Sequence, residues 1–218
     1  FRSMAVSAGT TALVARAWGA GDYEEASRVT MASLVLGCAL SLVVATLGFF
    51  FAGSLAGVFG LDEQTLAMAT ENIRLLAFFN VAFAGMLILG AALRASGDAW
   101  TPLWISGGVN LINLPLLYAF IFGHWGMPQM GVTGAAAAAG IAFTIGSLVQ
   151  LILWVKQKFR VRHVVSGWWR KARLRQLLDI GYPAALEQGV FQLGFFIFLI
   201  VIGKNYGTEA FAAYNIGV

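Results

Sequence analysis

Apolar and polar positions along this chain segregate into long apolar runs separated by short polar breaks. The runs occupy residues 3–18, 29–51, 75–93, 101–122, 135–155 and 180–203, and "KNYGTEAFAAYNIGV" (204–218) begins a seventh. About 20 apolar residues in a helix cross a hydrocarbon core of ~30 Å, and the full runs have that length. A transmembrane barrel would instead alternate apolar and polar residues over ~10-residue segments. The pattern predicts an all-α, polytopic membrane protein. Its breaks carry turn chemistry. The glycines of "GAGD" (19–22) suit a helix C-terminus that needs positive φ, and Asp22 can start the next helix. In "GLDEQT" Asp62 is expected to cap the following helix, with Glu63 near its positive end. Thr101-Pro102 reads as a cap followed by proline in a first turn, so the fourth run opens there. The fifth follows the loop "GHWGMPQMGVTG", and its start, "GAAAAAG", permits close approach of helix backbones.

Composition removes the soluble alternatives. Hydrophobic residues make up 59% of the 218 and charged residues 11%, with a mean hydropathy of +0.78, far from a soluble globular domain. Cys38 is the single cysteine, so no intrachain disulfide forms, and within a run it behaves as a small hydrophobe. His124 and His163 lack a second histidine or cysteine at ligand spacing, so no metal site is expected. The opening "FRSMAVSAGT" has neither an initiator Met nor a secretory pattern, and is expected to be an internal segment entering partway through a helix.

Charge sets an orientation. Breaks one, three and five hold Arg16, Arg28, Arg94 and the basic segment "KQKFRVRHVVSGWWRKARLR". That segment carries Lys156, Lys158, Arg160, Arg162, Arg170, Lys171, Arg173 and Arg175, eight of the fourteen basic residues. Even breaks offer only Arg74 and Lys204, so the odd breaks are expected on the cytoplasmic side, most naturally of the plasma (inner) membrane. Trp168 and Trp169 suit the headgroup level. The segment reads as an ordinary topogenic linker, with an anionic-lipid site as the functional alternative; it gives no signal for nucleic acid.

Polar residues inside the runs are the functional candidates. Glu187 is the only carboxylate deep in an apolar run, and it shares a sector of about 140° with Gln188 and Gln192. An Asp, Lys or Arg at a helix centre costs about 2.5–3.5 kcal/mol to insert, so such groups face a cavity or a partner. Glu187 is the ion-coupling candidate, trading a proton or Na+ as its surroundings change. For Gln188 and Gln192 both cavity lining and simple interhelical hydrogen bonding stand. Pro183 sits in a first turn or bends the helix just below Glu187, freeing the Asp179 carbonyl. Asn110 and Asn113 share a face of the fourth run and line a cavity or join helices; lone Asn80 reads as a packing contact. Asp22 and Asp98 are helix caps, or with Arg94 or Arg16 ion pairs that close an inner gate.

Stretches spread along the chain, in order, resemble one family, the multidrug and toxic compound extrusion (MATE) transporters. "VARAWGAGDYEEA" resembles the end of the family's second helix and the loop after it. "ALRASGDAWTPL" resembles its Leu-Arg-Gly-x-Gly-Asp-Thr-x-x-Pro turn between helices four and five. "NLPLLYAFIFG" with "GVTGAAAAAG" resembles helix five and the start of six, and "IGYPAALEQ" with "YGTEAFAAYNI" resembles helix seven and the opening of eight. The resemblance implies two six-helix lobes related by an axis along the membrane normal. Residues 1–155 are then most of the N-terminal lobe, 156–176 the basic interlobe linker, and 177–218 the start of the C-terminal lobe, from mid-helix two to the start of helix eight. It also implies a secondary antiporter exporting drugs or other amphipathic compounds in exchange for H+ or Na+. Expected partners are small organic substrates, the coupling ion and membrane lipids, with no cofactor, and the full-length protein is expected to be a monomer. The chain departs from the family at Leu117, where many members have Asp or Asn, and at Phe191, where some branches place an acid.

Two rivals follow. A lipid-linked saccharide flippase of the same superfamily would want basic groups in its cavity to hold pyrophosphate, and the runs have no central Arg or Lys. An intramembrane enzyme would need a Ser with His, paired Asp or clustered His within the spans, and none is there. A non-transporting structural membrane protein is the remaining alternative.

Overall fold

The computed structural model describes residues 2–57 and 63–217, and these form seven helices in sequence: α1 (Arg2–Gly19), α2 (Tyr23–Phe50), α3 (Ala52–Gly57), α4 (Glu63–Ala95), α5 (Trp100–Phe122), α6 (Val132–Val155) and α7 (Lys171–Gly217). Among the described residues, four segments are long and apolar enough to cross a membrane: Tyr23–Phe50, Leu66–Ala95, Trp100–Phe122 and Val132–Val155. The chain is an all-α integral membrane protein, as its apolar runs predict.

Every helix that follows a polar break begins before its apolar run does. Glu24 and Glu25 lie in the first turn of α2, where acids suit the positive helix end, and "KARLR" is the first turn and a half of α7. Hydropathy marks only the part of a helix that lipid or apolar neighbours demand; an amphipathic turn extends it into the interface. Pro183 is therefore not in a first turn: α7 starts at Lys171 and holds the proline in its interior. Nor does α7 break at Lys204, since it continues to Gly217. Glycines weaken a helix but do not by themselves stop it. Asp62, the expected cap of α4, lies outside the described residues.

The two glycine-aspartate turns are built alike. Gly21 and Gly97 have φ of +78° and +80°, which a Cβ would disfavour. The N–H of the following aspartate closes the helix end, Asp22 onto the Ala17 carbonyl at 2.9 Å and Asp98 onto Leu93 at 3.0 Å. Each carboxylate then caps the next helix. Asp22 accepts from the Glu25 N–H at 2.9 Å, and Asp98 accepts from the Thr101 N–H at 3.0 Å and from its hydroxyl at 2.6 Å. Thr101 is thus a donor inside the first turn of α5, and the capping side chain is Asp98.

α4 is the central helix, packed on α1, α2 and α6; α5 lies outside α6, and α7 lies outside α1 and α2. Small residues set the spacing. A Cβ on Gly134 would stand 2.7 Å from the Phe120 carbonyl oxygen, and one on Gly9 would stand 2.8 Å from that of Leu177, so α5–α6 and α1–α7 meet backbone to backbone. Asn80 ties α4 to α2, donating to the Ser41 carbonyl at 3.2 Å.

Both apolar clusters sit at the end of the bundle that carries the basic segment. One joins Leu13, Val14, Ala26, Val29, Ala92 and Leu177 with Trp168 against it; the other joins Leu89, Leu93, Trp154 and Phe159. The basic segment is consequently a packed element. After α6, Gln157 takes φ +56° and turns the chain back under the helices. Phe159 and Val161 are buried there, and the Gln157 amide donates to the His163 carbonyl at 2.9 Å.

Candidate functional site

The sequence candidates fall into two separate groups. α7 packs on α1 and α2 while α5 packs on α6 and touches α4, so Glu187 and the Asn110–Asn113 pair stand on opposite flanks of the bundle. Asn110 is exposed, and its amide donates to the Ser106 carbonyl of its own helix at 3.0 Å. Asn113 is half-buried on the same helix.

Glu187, Gln188 and Gln192 are all exposed, yet they do not share one outlook. Gly181 is the point at which α7 meets Gly9 of α1. At 100° per residue, Gln188 and Gln192 fall within about 20° of that direction, whereas Glu187 points about 120° away. The amides lie on the α1 side, level with the beginning of α1. The carboxylate stands on a flank that no described helix covers, between exposed Leu186 and Val190.

Asp22 and Asp98 are engaged as caps, and among the described residues neither forms an ion pair with Arg94 or Arg16. Arg94 folds back along α4: a Cβ on Gly90 would lie 3.2 Å from its guanidinium and 3.7 Å from the Gln150 amide. These groups, with Ser106, Phe83, Met86 and Phe143, line a cavity of about 180 Å³ between α4, α5 and α6. Gln150 is 1% exposed. With its nitrogen toward α4 it donates to the Met86 carbonyl at 3.2 Å and accepts from the Gly90 N–H at 3.0 Å. Sequence reasoning passed over Gln150, although it is the one amide in the 135–155 run.

Arg173 was likewise missed as an individual. It is 3% exposed and forks onto Glu25 of α2, with Nε at 2.7 Å and Nη2 at 2.6 Å from the two carboxylate oxygens. Its Nη1 donates to the Gly167 and Trp168 carbonyls at 3.0 and 2.7 Å. One side chain thereby fastens α7 and the basic segment to the start of α2. The available signal was spacing: Arg173, Leu177 and Gly181 recur every four residues on one helical face, and all three are buried.

Comparison with known proteins agrees with this architecture. A protein of Thermotoga maritima named as probable multidrug resistance protein NorM is 30% identical over 218 residues, which is 99% of this chain and 46% of that protein. The Bacillus subtilis uncharacterized transporter YisQ is 27% identical over 216 residues, 97% of this chain and 47% of its own. The chain spans about half the length of the curated relatives it matches. Among solved structures, a MOP superfamily transporter from Pyrococcus furiosus superposes with a TM-score of 0.87 over 98% of this chain and 47% of that one, at 24% identity. An inward-facing MATE family transporter gives 0.83 over 98% of this chain and 48% of that one, also at 24% identity. At such identities the likeness concerns the fold. The MatE family model matches residues 1–119 of the 218, and by that match over more than half its length the chain belongs to the MatE family.

Proposed function

We propose that the full-length protein is a secondary active antiporter that exports drugs or other amphipathic organic compounds in exchange for H+ or Na+. The observation that carries this reading is Glu187, exposed in an apolar stretch of α7 with no described helix on it. A carboxylate facing lipid there is costly, so in the complete protein it faces a partner or a water-filled cavity. In a two-lobed transporter the cavity between the lobes is the natural place, with Gln188 and Gln192 at its edge. Cation or proton binding at Glu187 favours one orientation of the lobes, and its release favours the other; the shift is bounded by the differential affinity of the two states. Relatives named as multidrug resistance proteins support the choice of organic substrates. The basic end is cytoplasmic on this reading, in the plasma membrane, and Asp22, Arg94 and Asp98 stand at its inner gate.

Glu187→Gln in the full-length protein tests the reading. Drug efflux from cells and pH- or Na+-driven exchange in liposomes should both fall at least tenfold while expression holds. Unchanged efflux and exchange remove Glu187 from the coupling role.

A further inference from the structure

At the basic end, a cleft of about 520 Å³ opens between the α1–α2 turn and the returning basic segment, lined by Trp18, Tyr23, Glu24, Ser27, Arg160, Arg162 and Val164. Its floor is rigidly made. Along "FRVR" burial alternates: Phe159 and Val161 are pegged into the bundle, and Arg160 and Arg162 stand exposed. The Arg162 N–H is held by the Ser27 hydroxyl at 3.0 Å, and the segment is closed by Gln157 on His163. Trp18 and Tyr23 meet edge to face at 4.5 Å between centroids, forming an aromatic wall. The one carboxylate in the lining, Glu24, is tied to Arg28. Among the described residues neither Arg160 nor Arg162 has an ion pair. Arg160 and Arg162 thus both line the cleft from a backbone that is held in place, with the Arg160 guanidinium 3.6 Å from where a Cβ on Gly97 would stand, at the neighbouring α4–α5 turn.

The cleft also lies at a defined depth. Tyr23 is the first residue of a membrane-length helix, so the opening is level with one face of the bilayer, where lipid phosphates sit. We propose that this cleft is a binding site for a phosphate anion, carried by the headgroup of an anionic lipid or free in solution, with Arg160 and Arg162 as its forks and the Trp18–Tyr23 wall against the glycerol or acyl side. Guanidinium groups pair with phosphate oxygens in this way. The site is independent of ion coupling at Glu187 and of what the transporter exports.

The test is a titration of the purified full-length protein with dioctanoyl phosphatidylglycerol, phosphatidylcholine of the same chain length, or inorganic phosphate, read as the rise in thermal midpoint. Phosphatidylglycerol should stabilise the protein and phosphatidylcholine should not. At about 1 kcal/mol per arginine near a membrane surface, Arg160→Gln or Arg162→Gln should weaken the apparent affinity about fivefold each, and the pair about thirtyfold. The charge-matched Lys156→Gln/Lys158→Gln variant should keep it. An equal response to inorganic phosphate, lost in the same arginine variants, supports the site and assigns it to the free anion. Equal losses in the arginine and lysine pairs, or no stabilisation by either phosphate probe, overturn the proposal; the single variants keep the test open if the double variant does not fold.

Discussion

Glu25 and Arg173 form a pair whose two members should not be equally replaceable. Arg173 is 3% exposed and Glu25 34%. Removing the acid, in Glu25→Ala, strands a buried guanidinium that keeps only its two carbonyl partners, Gly167 and Trp168. Breaking a buried pair this way costs about 3–5 kcal/mol, and the surviving carbonyl bonds argue for about 3. Removing the base, in Arg173→Met, leaves a carboxylate that water can reach and an apolar chain of similar length in the buried position. Only the carbonyl bonds and the fork are lost, for about 1–2 kcal/mol. The double variant then has no stranded charge and should resemble Arg173→Met alone, so it falls short of the sum of the single changes by about 3 kcal/mol, the coupling between the two side chains. Denaturation of the full-length protein in lipid–detergent micelles measures this, with tryptophan emission as the probe, since Trp168 packs beside the pair. If Arg173→Met is the more damaging single change, or the double variant shows the simple sum, the pair is not held by burial of Arg173.

Three further outcomes follow, the first being the loss of efflux and exchange in Glu187→Gln set out above. Gly9→Ala should destabilise the full-length protein by about 1–3 kcal/mol in the same denaturation assay, because its Cβ meets the Leu177 carbonyl oxygen, whereas Gly107→Ala, with open space around it, should be neutral or better. A comparable loss in both would show that helix propensity, not α1–α7 contact, governs these sites. Gln150→Leu removes both amide bonds to α4 but refills the space, and should cost under about 1.5 kcal/mol, while Gln150→Ala should cost about 2–4 by leaving a void against Met86 and Gly90. Equal midpoints for the two variants would refute the packed position of that side chain.

The basic segment shows how far a sequence reading reaches. Eight positive charges in twenty residues identify a topogenic stretch, and that much requires only counting. Counting does not separate Arg173 from Arg175, two residues on. Helical rotation places Arg173 toward α2 and leaves Arg175 in solvent, with only a 3.7 Å contact to Asp179. Trp168 and Trp169 are adjacent and alike in sequence, yet Trp168 packs on the apolar cluster while Trp169 is 63% exposed.

The sequence alone determined the membrane character, the helical class, the number and order of apolar runs and the glycine-aspartate turns, because each depends on hydropathy or on residues within one helical turn. It also supplied the family. Tertiary structure alone decided that Glu187 and the two asparagines lie on opposite flanks, that Gln188 and Gln192 look toward α1 while Glu187 does not, and that Gln150 and Arg173 are buried. Those facts depend on which helices are neighbours and how each is rotated. Apolar runs that face lipid and apolar runs that face other helices read alike, so neither neighbours nor rotation is encoded in hydropathy.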